Sequence, residues 1–259
     1  MESSFDKNWD DYAKLIYERK DSPEWEVLRK ARESHWDEFF NVKEGDKILD
    51  AGCGHGEYTI FSLQQKAKVW AFDYSKEMVN LTRELVDRYS LKAEKITIDS
   101  ITHIPYEDEF FDQVFCLAVL DHVNYEAREK GILELGRVLK KGGRIVIDVP
   151  NRYAYHWRFV FYIMRIFNLY PKGDIHFFTP AEINKILRQN GFKKSKTLGL
   201  TILPPFSGIY TTNLQRLTFL PEFIIKPLDK VYLKIEIPFR RISIFKPICW
   251  HYFVEAEKL

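Results

Sequence analysis

Cysteine is scarce in this 259-residue chain, and its three copies, Cys53, Cys116 and Cys249, lie far apart with no CxxC pair. That excludes a disulfide framework and a zinc-ribbon site, and fits reduced thiols in an intracellular protein. No stretch approaches 18 uninterrupted apolar residues; the most apolar window, 159–167, is broken by Arg165. A membrane-spanning helix is therefore not expected. The opening MESSFDKNWDDY is polar and acidic, unlike a signal peptide. Neither sign of charge dominates: 39 Lys and Arg against 37 Asp and Glu give +2, which by itself names no partner. Repeats and low-complexity tracts are absent too.

What is present is a nucleotide-binding layout. Residues 48–58 read ILDAGCGHGEY: a short apolar run closes on Asp50, and Gly52, Gly54 and Gly56 follow on alternate positions. A buried parallel strand that ends at an acid and enters a glycine-rich turn brings backbone N–H groups close to a ligand. The dinucleotide pattern GxGxxG would need glycine at position 57, where Glu57 stands. After one helix, 69–72 read as a second strand closed by Asp73, 17 positions beyond Gly56. An acid at that strand tip faces the ribose hydroxyls of a bound nucleoside. Ser75 then caps a helix with Met78, Leu81 and Leu85 on its apolar face.

The third strand, 96–98, closes on Asp99 and Ser100, and the fourth, 113–117, leads to Leu120, Asp121 and His122. A helix over 125–139 ends in Lys140, Lys141 and Gly142, a basic last turn with a glycine cap, and strand five follows. Five landmarks in this order over 48–151 resemble the class I S-adenosylmethionine-dependent methyltransferases, in the broad group that includes the ubiquinone and menaquinone biosynthesis enzymes. The resemblance implies a Rossmann-like α/β fold: a mostly parallel seven-stranded sheet, helices on both faces and an antiparallel last strand. Strand six is expected at 192–200 and strand seven at 249–256.

By the same resemblance the cofactor is S-adenosyl-L-methionine, with no metal. Asp50 and the turn Gly52, Cys53, Gly54 and Gly56 hold its methionine end, and the backbone of Leu117 and Ala118 lies beside the amino-acid moiety. Asp73, with its neighbour Tyr74, meets the ribose, and Asp99 with Ser100 the adenine. Met78 either borders the adenine or is plain core.

Methyl transfer from a sulfonium needs chiefly proximity, orientation and exclusion of water, so a base is required only for a hydroxyl or acidic-carbon acceptor. His122, just past the fourth strand, is the candidate base, with His156 and His176 secondary; a structural role competes for each.

The chain reads as a single domain with an N-terminal helical cap over 1–40 and substrate-side insertions at 152–179 and 201–248. Within the first insertion a helix is expected over 154–169, with Trp157, Phe161, Met164 and Phe167 on one stripe. Thr179, Pro180 and Glu182 spell a capping box opening the next helix. Residues 193–248 hold ten basic residues against three acids, interleaved with aromatics. That composition suits an anionic membrane surface or a nucleic-acid backbone, or a merely solvated face. CLAV rather than an NPPY-like sequence following strand four counts against methylation of exocyclic base amines. The expected acceptor is small or lipid-like and apolar, in a cytoplasmic protein with peripheral membrane contact; an RNA acceptor or a non-catalytic cofactor-binding protein are the alternatives.

Overall fold

The structure, a computed structural model, describes residues 36–166, 175–200, 227, 231–232, 234–235 and 248–259. Its centre is β1 (Lys47–Ala51), whose sequence KILDA is buried from Ile48 onward. β1 pairs in parallel with β2 (Lys68–Asp73) on one side and β4 (Phe111–Leu117) on the other. β3 (Lys95–Ile98) extends the first side; β5 (Leu139–Pro150), β7 (His251–Lys258) and β6 (Phe192–Leu200) extend the second. The order is β3-β2-β1-β4-β5-β7-β6, with β7 antiparallel to both of its neighbours. Seven strands, one antiparallel, are the architecture that the sequence implied. Chain direction reverses its progress across the sheet between β1 and β4, and ligands of open α/β sheets bind at the carboxyl ends of strands flanking such a point.

Strands buried on both faces need apolar residues at nearly every position, and alternation sorts those residues between two cores. Leu49, Val114, Ile145 and Ile147 join α4 (Tyr125–Val138) and α6 (Pro180–Gln189). Ile48, Phe115, Val146 and Phe253 join α1 (Trp36–Phe40), α2 (Glu57–Gln64) and α3 (Lys76–Arg88). Phe40, fully buried, holds the second core: its ring lies 5.0–6.4 Å from those of Phe115, Tyr58, Phe61 and Phe253. α5 (Tyr155–Ile166) follows β5, and its Trp157 packs on Trp250.

Capping residues start these helices, Ser75 and Thr179 where the sequence placed them and Asn124 in addition. Ser75 Oγ accepts from Met78 N at 3.2 Å, and Asn124 Oδ1 from Ala127 N at 2.9 Å. Thr179 and Glu182 form the reciprocal capping box.

Two boundaries differ from expectation. α4 stops at Val138, and Leu139 already pairs with Phe111, so Lys140–Gly142 extend β5 rather than capping the helix. Asp112 explains the difference: its carboxylate accepts from Lys140 Nζ at 2.6 Å and from Lys47 N at 2.8 Å, which draws the lysine to the sheet. β7 begins at His251 instead of position 249 because the Cys249 thiol donates to His251 O, and Trp250 O accepts from Asn151 N, in the preceding bend. The helix expected over 154–169 is described over Tyr155–Ile166. The cap over 1–35, the side chains of Phe161 and Met164, Phe167, and most of 201–248 lie outside the described residues. Among the described residues no helix is long and apolar enough to cross a membrane.

Candidate cofactor and acceptor site

The turn after β1 is fixed by backbone bonds to the tip of β2. Phe72 O accepts from both Gly52 N and Cys53 N at 2.8 Å, and Gly54 N donates to Asp73 Oδ2 at 2.8 Å. Ser75 N donates to Asp73 Oδ1 at 2.9 Å. Two glycines here serve different ends. Gly52 (φ +82°) faces Val119, whose Cγ2 would lie 2.3 Å from an added Cβ, so this glycine lets two loops touch. Gly54 (φ +55°) would direct a Cβ into open space, with nothing within 4 Å. The backbone there borders an open cradle, and Thr82 Oγ1 holds Gly54 O from behind at 2.8 Å.

Asp73 is half-buried; Gly54 N and Ser75 N each donate to one of its oxygens and the Tyr74 N–H adds to them, which leaves part of its acceptor capacity for a ligand hydroxyl. Burial raises its pKa above the ordinary carboxylate value, against the opposing pull of those N–H groups. Asp50 is buried under the turn and accepts from Thr59 Oγ1 at 2.6 Å. Burial pushes its pKa up to about 7; the Thr59 bond opposes and the nearby Asp73 charge adds. Cys53 and Cys116 are buried, and burial raises both thiols, which leaves them protonated and inert at neutral pH.

Toward the β3 edge, Asp99 N donates to Asp73 O at 3.1 Å and its Oδ2 accepts from Thr97 Oγ1 at 2.6 Å. Ser100 Oγ accepts from Thr102 N at 3.2 Å. Tyr74 and Ile98 are 55% and 51% exposed at this end, whereas Met78 is buried at 2%. Ile98 drew no attention in the sequence because it reads as an ordinary strand residue.

On the other side of β1, Leu117 is buried and ends β4, and Ala118 takes a positive φ of 54° with its N–H on Asp148 O at 3.2 Å. The following loop is organised by Arg128, whose guanidinium donates to Leu120 O and Val123 O and covers the Phe178 ring at 4.8 Å. His122 Nε2 stands 3.1 Å from Asp121 Oδ2, with side chains 8% and 5% exposed. His176 joins the same loop through its backbone N–H on Asp121 O, while its ring meets Glu182 Oε1 at 3.0 Å. His156 lies on α5 beside Trp157, away from this loop in sequence. Thus Asp50, the glycine turn, Asp73, Asp99, Ser100, Leu117, Ala118 and His122 gather along one edge of the sheet.

Sequence reasoning missed a pair at that edge. Asp148 on β5 and His251 on β7 meet at 2.9 Å. The available signal was an acid within the apolar run IVIDVP and a histidine opening an apolar strand, but nothing local tied one to the other.

Residues 49–147 match the family described as a methyltransferase domain. An uncharacterized protein of Methanocaldococcus jannaschii is 34% identical over 113 residues, 44% of each chain. The ubiquinone biosynthesis O-methyltransferase of Nitrosococcus oceani is 30% identical over 169 residues, covering 62% of this chain and 69% of that one. Matches to two further relatives span only 25% and 57% of those proteins. Among solved structures, an S-adenosylmethionine-dependent methyltransferase of Thermotoga maritima superposes with a TM-score of 0.63 at 16% identity, over 97% of this chain and all of that one.

Proposed function

We propose that this chain, which belongs to the class I S-adenosylmethionine-dependent methyltransferase family, methylates a small or lipid-like apolar acceptor. The observation that carries the reading is the Gly54–Asp73 bond beside an open cradle. It combines a backbone that a ligand can approach with a carboxylate that retains acceptor capacity for a ribose hydroxyl. These residues fit a nucleoside cofactor.

In the proposed assignment, Gly52, Cys53, Gly54 and Gly56 line the methionine end over Asp50, whose negative form suits a cationic ligand. Asp73 and Tyr74 border the ribose; Asp99, Ser100 and Met78 the adenine; the backbone of Leu117 and Ala118 the amino-acid moiety. The cofactor supplies an electrophilic methyl group on a sulfonium. The chain supplies orientation and a dry enclosure, and these suffice for an acceptor that is already nucleophilic. An acceptor with a hydroxyl or acidic carbon also needs a base; His122, the candidate from the sequence, has a side chain only 8% exposed and its Nε2 engaged by Asp121, which favours its structural role.

The apolar character proposed for the acceptor is supported by α5. Trp157 packs with Trp250, and Phe177 with Trp250, beyond the ends of β5 and β7. Tyr155, Phe159, Tyr162 and Ile166 form an exposed stripe on the same helix, at spacings of 4, 3 and 4. The chain is read as one domain in which 1–40, 152–179 and 201–248 serve the acceptor side, and the basic 193–248 region draws it to an anionic membrane surface.

The test supplies trideuteromethyl-labelled S-adenosylmethionine with a total lipid extract and, separately, total RNA. Mass spectrometry should find the label in an apolar phenol, quinol or lipid fraction. Label in RNA alone moves the acceptor to nucleic acid, and cofactor binding without label in either defines a non-catalytic binding protein.

A further inference from the structure

Asp148 and His251 form a further carboxylate–histidine pair at the carboxyl edge of the sheet. Asp148 is 4% exposed, and its backbone carbonyl accepts from Ala118 N. His251 is the first residue of β7, one strand farther out, where it pairs with Pro150. Its Nδ1 lies 2.9 Å from Asp148 Oδ2 and 3.2 Å from Oδ1. An ionised carboxylate only accepts, so Nδ1 carries the proton and Nε2 the lone pair.

Among the described residues, Nε2 takes no hydrogen bond, and the His251 side chain is 32% exposed against 8% for His122. Aromatic rings flank the imidazole: Trp250 at 5.9 Å and Phe253 at 6.4 Å. His251 pairs with Pro150, two residues beyond Asp148, the partner of Leu117, so it stands past the end of β4 on the face of the sheet that carries Asp148.

We propose that His251 is the general base for a hydroxyl acceptor, a phenol in this aromatic setting, and that Asp148 is its positioning residue; the proposal rests on the methyl-transfer reading above. Nε2 takes the hydroxyl proton as the acceptor oxygen attacks the methyl carbon of S-adenosylmethionine. The O–CH3 bond forms as the S–CH3 bond breaks, and the breaking bond's electron pair leaves with the sulfur, now a neutral thioether. The proton then passes from the imidazolium to solvent. Asp148 holds the tautomer and stabilises the imidazolium, work that an amine acceptor with its own lone pair would not require.

The probe is 4-nitrocatechol, added to the full chain loaded with S-adenosylhomocysteine at a pH where the free phenol is neutral. Wild type should show the red-shifted phenolate band on binding. His251→Ala and the bulkier His251→Gln should both lose the band while calorimetry gives unchanged S-adenosylhomocysteine affinity. Nitrogen-15 NMR should find the His251 proton on Nδ1 in wild type and on Nε2 in Asp148→Asn, with a weakened phenolate band. The proposal is overturned by no 4-nitrocatechol binding to the loaded wild type, by a phenolate band that survives both His251 variants, or by an unprotonated Nδ1 in wild type. Failure to bind S-adenosylhomocysteine at all would instead count against the methyl-transfer reading.

Discussion

Gly54 and Asp73 are joined by a 2.8 Å hydrogen bond from the glycine N–H to Oδ2, so the turn after β1 and the tip of β2 behave as one unit. The same carboxylate takes Ser75 N through Oδ1, which ties in the start of α3. A single side chain thereby sets the shape of the cradle and offers its remaining lone pairs to a ligand.

The neighbouring glycines should separate folding from binding. Gly52→Ala drives a Cβ into Val119 Cγ2 at 2.3 Å and strains a left-handed backbone, so thermal unfolding should show a large loss of stability. Gly54→Ala meets open space, so its folding cost should be only the backbone strain of roughly 1–2 kcal/mol. Its main effect should be on cofactor affinity, because the methyl fills the cradle. Calorimetry on the folded Gly54→Ala protein checks this; unchanged affinity would put the ligand elsewhere.

Asp50 should make the ligand-free protein less stable as pH rises. Its folded pKa of about 7 lies above the ordinary 3.8, so the unfolded chain releases the proton first. Below about 4 both states hold the proton, and the full stability is present. Across the window up to about 7 the folded state loses roughly 1.4 kcal/mol per pH unit relative to a chain without the group, and above it the penalty is constant. Asp50→Asn keeps an acceptor for Thr59 and should lack this penalty. Denaturant unfolding of both proteins at pH 5 and pH 8 measures it: the variant should gain on wild type at the higher pH. Equal differences at the two pH values would show that burial does not raise this carboxyl.

Local signals account for most of what was legible before the structure. The capping box at Thr179 follows from short-range rules, whereas the β1 turn and Asp73, 19 positions apart where Gly54 N meets Oδ2, were legible because each carries its own strand-end pattern of acid and glycine. The α4 boundary was misread because Lys140 looks like a helix-ending cation until Asp112, 28 positions away, claims it. Asp148 and His251 stand 103 positions apart, and only the antiparallel docking of β7 on β5 brings them together. Of the stripe expected on α5, Trp157 is buried and the other side chains lie outside the described residues; a separate exposed stripe starts at Tyr155. A helix apolar nearly all round does not reveal which face is covered.

The two histidines at the edge are separable in kinetics once an acceptor is in hand. His122 is 8% exposed with Nε2 on Asp121, so His122→Ala should lower kcat only a few-fold by loosening the loop. His251→Ala should lower it by about 10²-fold or more, with KM for the cofactor unchanged. The reverse ranking would return the base role to His122.

Membrane contact has its own check. The basic, aromatic-rich region 193–248 should bind anionic vesicles at low salt, and reversing Arg240 and Arg241 to Glu should abolish co-sedimentation. RNA binding without vesicle binding would assign the region to a nucleic acid.

The most direct test of the cofactor site is calorimetric titration of S-adenosylmethionine into wild type and Asp73→Ala, with folding of both verified by circular dichroism. Wild type should bind one equivalent, and the variant should lose roughly 1.5–3 kcal/mol, the scale of hydrogen bonds to a charged group. Equal affinity in two folded proteins would contradict the assignment of Asp73 and, with it, the placement of the cofactor over the glycine turn.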